Sequence, residues 1–489
     1  MASTQLDLDV LIVGAGISGI NAAYRLQTDG PANSRYAIFE ARHDLGGTWD
    51  FFRYPGIRSD SDIYTFGFSW KPWHKPETVA QGADIKSYMT EAVRETGIDT
   101  HIRYHHRVVA ADWHSKDQCW EVRYEVGDGA AAAATTQTLR TRFILLGTGY
   151  YDYDTPMKAA IPGIDNFAGK VIHPQFWPED YDYTDKHMVV IGSGATAITV
   201  VPAVSARVQH VTMLQRSPTY IMPIPKQSLA ARFLFALLPR FLAHRLNRSL
   251  WIAQSYVMIY FCRLFPNVAR ALIRSVNRRL LPKSVSIDPH FSPAYKPWQQ
   301  RLCASMDGDI FAAIRCGKAS IVTDHIETVT ATSIKLKSGA ELHPDVIVTA
   351  TGLGLRFAGG MQISIDGAPF DVTQKFIYRA SMLQDLPNLV YVVGYENASW
   401  TLGADCAAKV LVRVVNELKA GGNTSATPRL ANPDAMQVRP LLNLGSTYLQ
   451  KANTVFPKGG TGAWAPRSTY LADLYKATYG DLKSEMEIV

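Results

Sequence analysis

No C-x-x-C pair occurs in the 489 residues, and the five cysteines (Cys119, Cys262, Cys303, Cys316 and Cys406) are widely spaced and odd in number. That pattern supports neither a disulfide framework nor a dithiol redox centre, and it fits a reducing, cytoplasmic compartment. No cluster has the ligand spacing of a zinc or iron–sulfur site, so no metal is expected. Long apolar runs are missing too. The longest uncharged stretch of the helical region, Ser249 to Cys262, is 14 residues, short of the ~20 a spanning helix needs. The segment from Met1 to Val10 has no basic residues ahead of its apolar run, and that run leads into a glycine turn. It reads as a first strand, not as a signal peptide.

Acid is absent from one long region. Between Lys226 and Lys283 stand eleven Lys and Arg residues and no Asp or Glu, against a net charge of +7 for the whole chain. Two readings remain open, solvated helix faces near an anionic cofactor or attraction to an acidic membrane surface, and the first is preferred. No recognised nucleic-acid module accompanies the charge, so nucleic acid is not an expected partner. What is present is ordinary for a globular enzyme: 47% hydrophobic and 19% charged residues. The length suits two to four domains or subdomains, by a prior of about 100–200 residues each.

Two segments share one grammar, a β-branched apolar run, a glycine turn and a helix of small residues. The first is Val10 to Val13, then Gly14-Ala15-Gly16-Ile17-Ser18-Gly19; the second is Met188 to Ile191, then Gly192-Ser193-Gly194-Ala195-Thr196-Ala197. In such a turn the first glycine permits the tight bend and the second lets backbone approach a pyrophosphate. The third position, Gly19 or Ala197, lets helix and strand pack closely. The helix N-terminus adds unpaired N–H groups and a positive dipole end. After the first unit a second strand ends on Glu40, where a carboxylate can accept hydrogen bonds from ribose hydroxyls. After the second unit the matching strand ends in Gln215-Arg216-Ser217. With no acid there, Arg216 and the Ser217 hydroxyl suit a 2′-phosphate, which favours NADPH over NADH.

The expected fold is therefore α/β, with two Rossmann-like dinucleotide-binding domains, FAD in the first and NADPH in the second, and a helical insertion in the second. Residues 1–152 form the first part of the FAD domain and 153–225 the first part of the NADPH domain. The insertion covers 226–298, the NADPH domain resumes over 299–350, and 351–489 returns to the FAD domain and a C-terminal segment. An antiparallel meander is expected within Tyr104 to Leu146, with an exposed loop at Gly127 to Thr136, and a strand at Asn388 to Gly394 rejoins the first sheet. Within the insertion, Phe233, Leu237, Trp251, Tyr256 and Phe261 read mostly as plain core, some of them lining an active site. The region after Gly421 reads as loop-rich.

Two further motifs carry a family resemblance. Phe167, Gly169, His173 and Trp177 with Pro178 spell F-x-G-x-x-x-H-x-x-x-W-P, and Gly46-Gly47-Thr48-Trp49 leads to Tyr54-Pro55-Gly56 and Asp60. From Val10 to Lys409 the chain resembles the type I Baeyer–Villiger monooxygenases, and within them the ethionamide-activating branch. The resemblance implies that Gly47, Thr48 and Trp49 help bind the flavin, that Asp60 stands beside it, and that Arg301 is the active-site arginine. It implies that His173 is a linker residue coupling domain movements, although a lone histidine in a turn equally reads as structural. Many members place lysine before the arginine and use it on the NADPH 2′-phosphate; Gln300 stands here, leaving more of that work to Arg216. The implied cycle is reduction of FAD by NADPH, addition of O₂ at flavin C4a, and attack of the peroxide on a ketone to give an ester or lactone. In that cycle Arg301 would supply a fixed positive charge and Asp60 would hold it in place. Sulfide oxidation is the implied side activity. The alternatives are a flavin-containing N/S-oxygenating monooxygenase and, in another class, an NADPH-dependent flavin reductase or redox sensor. The oligomeric state is not legible.

Overall fold

A computed structural model describes residues 5–127, 135–300, 302–396, 398–442, 452 and 454–489. The chain divides into two compact units, Met1–Asp50 with Ile85–Tyr153 and Leu355–Val489, and Phe51–Asp84 with Asp154–Gly354. The segment 51–84, counted with the first domain on sequence, thus packs with the second unit. Arg58 and Gln81 form an isolated antiparallel bridge within it, and Glu77 pairs in the same way with Gln227 of the same unit.

In the first unit the strand Leu8–Val13 lies between Tyr36–Phe39 and the end of Thr135–Leu146, parallel to both, with Val10 opposite Tyr36 and Phe143. Ile102–Arg103 extends one edge and Leu389–Tyr391 the other, again in parallel. These runs are rich in Val, Ile and Leu because helices or further strands cover both faces. The expected meander is present as His106–His114, Cys119–Val126 and Thr135–Leu146, paired antiparallel in that order. The last of these leaves the meander near Thr141 and finishes in the parallel sheet. Most of the loop expected at Gly127 to Thr136 lies outside the described residues.

The sequence reading assigns no element to Trp400–Gly421, which is a 22-residue helix. Its first two turns are buried all round, and from Lys409 on it turns a stripe with Lys409, Arg413, Asn416 and Glu417 outward. It is tied to the helix Ile17–Asp29 by Asp405, which accepts hydrogen bonds from Asn21 (3.1 Å) and Arg25 (2.8 Å). The loop-rich region after Gly421 also contains the helix Tyr470–Tyr479 and an antiparallel strand pair, Ala426–Pro428 with Met486–Ile488.

The second unit holds a five-stranded parallel sheet in the order Ala319–Thr323, His210–Gln215, His187–Ile191, Val346–Thr349, Lys170–Ile172. Its insertion is three helices, Leu229–Leu237, Arg240–Leu264 and Pro266–Leu280. Ser228 caps the first by accepting the N–H of Ala231 (3.1 Å), and prolines at 239 and 266 begin the other two, where a missing N–H costs nothing. No single helix among the described residues is long and apolar enough to cross a membrane, and the second and third helices meet at 112°. Here the sequence reading needs correction. Phe233 and Leu237 are not core but 65% and 63% exposed. The face of Arg240–Leu264 turned into the unit carries instead the buried His244, Asn247 and Arg248. Arg248 donates to the carbonyl oxygens of Tyr64 (2.7 Å) and Gly67 (2.9 Å), and Trp251 stacks on Tyr64 at 6.2 Å.

Candidate active site

Gly14 ends the first strand at φ +101°, and a Cβ there would lie 2.8 Å from the Gly147 carbonyl oxygen. Only glycine combines that backbone conformation with that approach. Gly16 is the N-cap of Ile17–Asp29, with no side-chain cap and no acid in the first turn. The N–H groups at this helix end are left for an anion. Gly19 packs helix on strand, since a Cβ would stand 2.0 Å from Gly14 O.

The Gly46-Gly47 turn folds back over this point. The Gly46 N–H donates to Ala15 O at 3.1 Å, and a Cβ on Gly16 would come within 3.7 Å only of Gly47 Cα. Glu40, 7% exposed, accepts the N–H groups of Ala15 (2.8 Å) and Arg42 (3.1 Å). Burial pushes its carboxyl up from the usual carboxylate range, against those two donors. A carboxylate has about four acceptor positions, so two remain for ribose hydroxyls. Thr48 opens the short helix Thr48–Phe51 and shares a hydrogen bond with Tyr153 Oη at 3.2 Å; Trp49 follows it, its N–H on Gly46 O.

Sequence reasoning missed what holds this turn. Asp50 is fully buried and pairs with Arg42 and with Lys86 Nζ at 2.6 Å. The triad joins three segments with no motif in common, so only its burial identifies it.

In the second unit Gly192 sits at φ +142°, with the Ala350 carbonyl oxygen 2.2 Å from where a Cβ would be. Gly194 is the N-cap of Ala195–Val204, again with no side-chain cap and no acid in the first turn. A Cβ on Gly194 would meet nothing within 4 Å, so a ligand can approach that backbone. Ala197 is fully buried in the helix–strand contact. The Ser193 hydroxyl donates to Ser217 O at 2.8 Å, which fixes Arg216 and Ser217 beside the glycine turn. Both are exposed, and Arg216 has no ion pair among the described residues. Uncapped N-termini in both units, one beside a buried glutamate and one beside an exposed arginine, fit two dinucleotides of different charge.

The family motif residues are mainly structural. Lys170–Ile172 is the edge strand beside Val346–Thr349. Phe167 closes one core cluster and Trp177 another, with Trp177 edge-on to Tyr183 at 5.9 Å. A Cβ on Gly169 would stand 2.5 Å from Asp345 O. His173 caps a short helical turn by accepting the Gln175 N–H at 3.2 Å. Burial holds its pKa below the usual histidine value, so it is a neutral acceptor near pH 7.

Tyr54 bonds to Thr196, in the first turn of Ala195–Val204, and feels the charges of Asp60 and Arg58; burial pushes the phenol up to about 12. Asp60 itself is exposed. Arg58, which the sequence reading passed over, is 8% exposed and pairs with Asp309 at 2.6 Å. Arg301 lies outside the described residues.

Two Rossmann sheets with open glycine turns define the class of nicotinamide- and flavin-dependent oxidoreductases. A family model described as pyridine nucleotide-disulphide oxidoreductase matches residues 11–234, although all five cysteines are free thiols. The chain is 44% identical over 479 residues to the FAD-containing monooxygenase EthA of Mycolicibacterium smegmatis, covering 98% of this chain and 96% of that one. It is 44% identical over 470 residues to the probable FAD-binding monooxygenase AlmA of Acinetobacter baylyi, covering 95% and 93%. The chain belongs to this family of FAD-containing monooxygenases. Its fold is that of OTEMO, solved in complex with FAD and NADP, with a TM-score of 0.73 at 19% identity over 99% of this chain and 100% of that one. The flavin-monooxygenase resemblance read from the motifs is borne out.

Proposed function

We propose that the enzyme uses NADPH and O₂ to convert small ketones to esters or lactones, with sulfide oxygenation as a side activity. The observation that carries the reading is the pair of uncapped glycine turns, the second with Arg216 fixed beside it through Ser193 and Ser217. Residues 1–50, 85–152 and 351–489 form the FAD side, and 153–225 with 299–350 the NADPH side, with 226–298 inserted and 51–84 packed with the NADPH side. Gly14, Gly16 and Gly19 with the N–H groups of Ile17–Asp29 hold the FAD pyrophosphate. Glu40 accepts from its ribose, while Gly47, Thr48 and Trp49 cover the cofactor. Gly192, Gly194 and Ala197 do the same for NADPH. Arg216 and Ser217 take its 2′-phosphate, and Gln300 leaves them without the lysine usual in the Baeyer–Villiger resemblance. FAD, when bound, supplies the two-electron chemistry that activates O₂. With all five cysteines free, no protein disulfide competes for those electrons, and the free thiols also support a cytoplasmic enzyme.

The remaining roles follow the resemblance. Arg301 supplies a charge that stays protonated and forks over the oxyanion formed at the ketone carbon. Asp60 positions that arginine, and His173 transmits movement between domains as a neutral acceptor. The test is coupling. With a ketone panel scored by product mass, NADPH consumed and oxygenated product formed should be equal. Hydrogen peroxide in amounts equal to NADPH, with no product from any ketone or sulfide, would establish a flavin reductase. Products from sulfides and amines alone would establish the N/S-oxygenating alternative.

A further inference from the structure

The helix Arg240–Leu264 is built inside out. Its inward face carries His244, Asn247 and Arg248, which are 2%, 1% and 7% exposed. Its outward face carries Leu242, Leu246, Leu250, Val257, Tyr260 and Leu264, all exposed, with Val257 and Leu264 near 70%. Steps of three, four and seven residues place these on one stripe. Phe233 and Leu237 on the preceding helix, and Val268, Leu272 and Val276 on the following one, continue the exposed apolar surface. A helix whose outer face meets only water would carry the opposite pattern.

The cations sit on the same three helices. Arg232, Arg240, Arg245, Arg263, Arg278 and Arg279 are exposed, none in an ion pair among the described residues, and no Asp or Glu occurs between Lys226 and Lys283. We propose that residues 226–283 form a docking surface for an anionic phospholipid bilayer, with the apolar stripe in the acyl boundary and the guanidinium groups on lipid phosphates. A second copy docked through this face would set cations against cations, which repel. An anionic bilayer satisfies both the charge and the apolar area. The helices lie on the membrane. No single helix among the described residues is long and apolar enough to cross it, and the two longest of these three reach that length and apolarity only as a pair bent by 112°. This inference is independent of the substrate.

The test uses the full-length, FAD-loaded protein with vesicles of phosphatidylcholine alone and of phosphatidylcholine with phosphatidylglycerol. It should float with the anionic vesicles at low salt, be released as salt screens the charges over a Debye length of about 10 Å at 0.1 M, and ignore the neutral ones. The double variant Arg240→Gln, Arg245→Gln should lose at least tenfold in partitioning, since each exposed cation is worth roughly fivefold. A triple variant, Leu246→Asp, Val257→Asp and Leu264→Asp, should lose anionic binding while keeping its flavin absorbance and melting temperature. Should that variant fold poorly, Val257→Trp provides a second readout, its fluorescence quenched by brominated anionic lipid. Equal flotation with neutral vesicles would overturn the proposal. So would no flotation at low salt, no quenching in Val257→Trp, or a concentration-dependent dimer of the parent protein that the aspartate variant abolishes.

Discussion

At the residue scale, the two glycines of the second turn separate folding from binding. Gly192 has positive φ and a carbonyl oxygen 2.2 Å from its absent Cβ, whereas Gly194 has ordinary extended backbone and open space. Gly192→Ala should therefore lower the melting temperature, by strain of about 1–3 kcal/mol. Gly194→Ala should melt like the parent yet bind NADPH more weakly, because its methyl group stands where the pyrophosphate approaches. Calorimetry beside NADPH titration distinguishes the two, and equal melting losses in both variants would remove the argument. Arg216→Ala should weaken NADPH about ten- to hundredfold and leave NADH almost unchanged, the range expected for one charge-assisted phosphate contact. Equal losses for both nucleotides would show that Arg216 acts on the turn itself.

Elements show why the insertion is held as it is, and what holds it makes a pH prediction. His244 on Arg240–Leu264 is 2% exposed, and burial, then the charge of Arg248, lowers its pKa from 6.5 to about 4. The unfolded chain takes up a proton near pH 6.5 that the folded chain refuses until about pH 4. More protons are then bound by the unfolded state, so stability falls as pH drops through that window and rises again with pH. The contribution is up to about 3 kcal/mol from one buried group. Urea melts at pH 7 and pH 5 should show it in the parent and show less of it in His244→Gln. An identical pH slope in both proteins would place the titration elsewhere. Arg248 has the complementary role, because its guanidinium caps the carbonyl end of Ile63–Phe66. Arg248→Met leaves those carbonyls buried without donors, a cost of about 1–3 kcal/mol each.

Across the whole molecule, the two cradles lie on different sheets, so the halves of the catalytic cycle are separable. Arg301→Ala should still transfer hydride from NADPH to flavin, because both glycine turns are intact, while ester formation falls about 10²–10³-fold. Stopped-flow reduction and product analysis on one preparation check this; loss of both steps together would assign Arg301 to nicotinamide binding or folding. The sequence by itself determined the two nucleotide turns, the Glu40 and Arg216 strand ends and the parallel sheets, because glycine turns and β-branched runs are local and carry their geometry with them. Tertiary structure alone decided that segment 51–84 packs with the second unit, that Asp50 joins Arg42 and Lys86, and that the first half of the helix Trp400–Gly421 is buried all round. It also decided which face of the basic helices turns out of the unit. An apolar stripe reads the same in sequence whether it points in or out, and only the packing of His244, Asn247 and Arg248 against the unit fixed the direction.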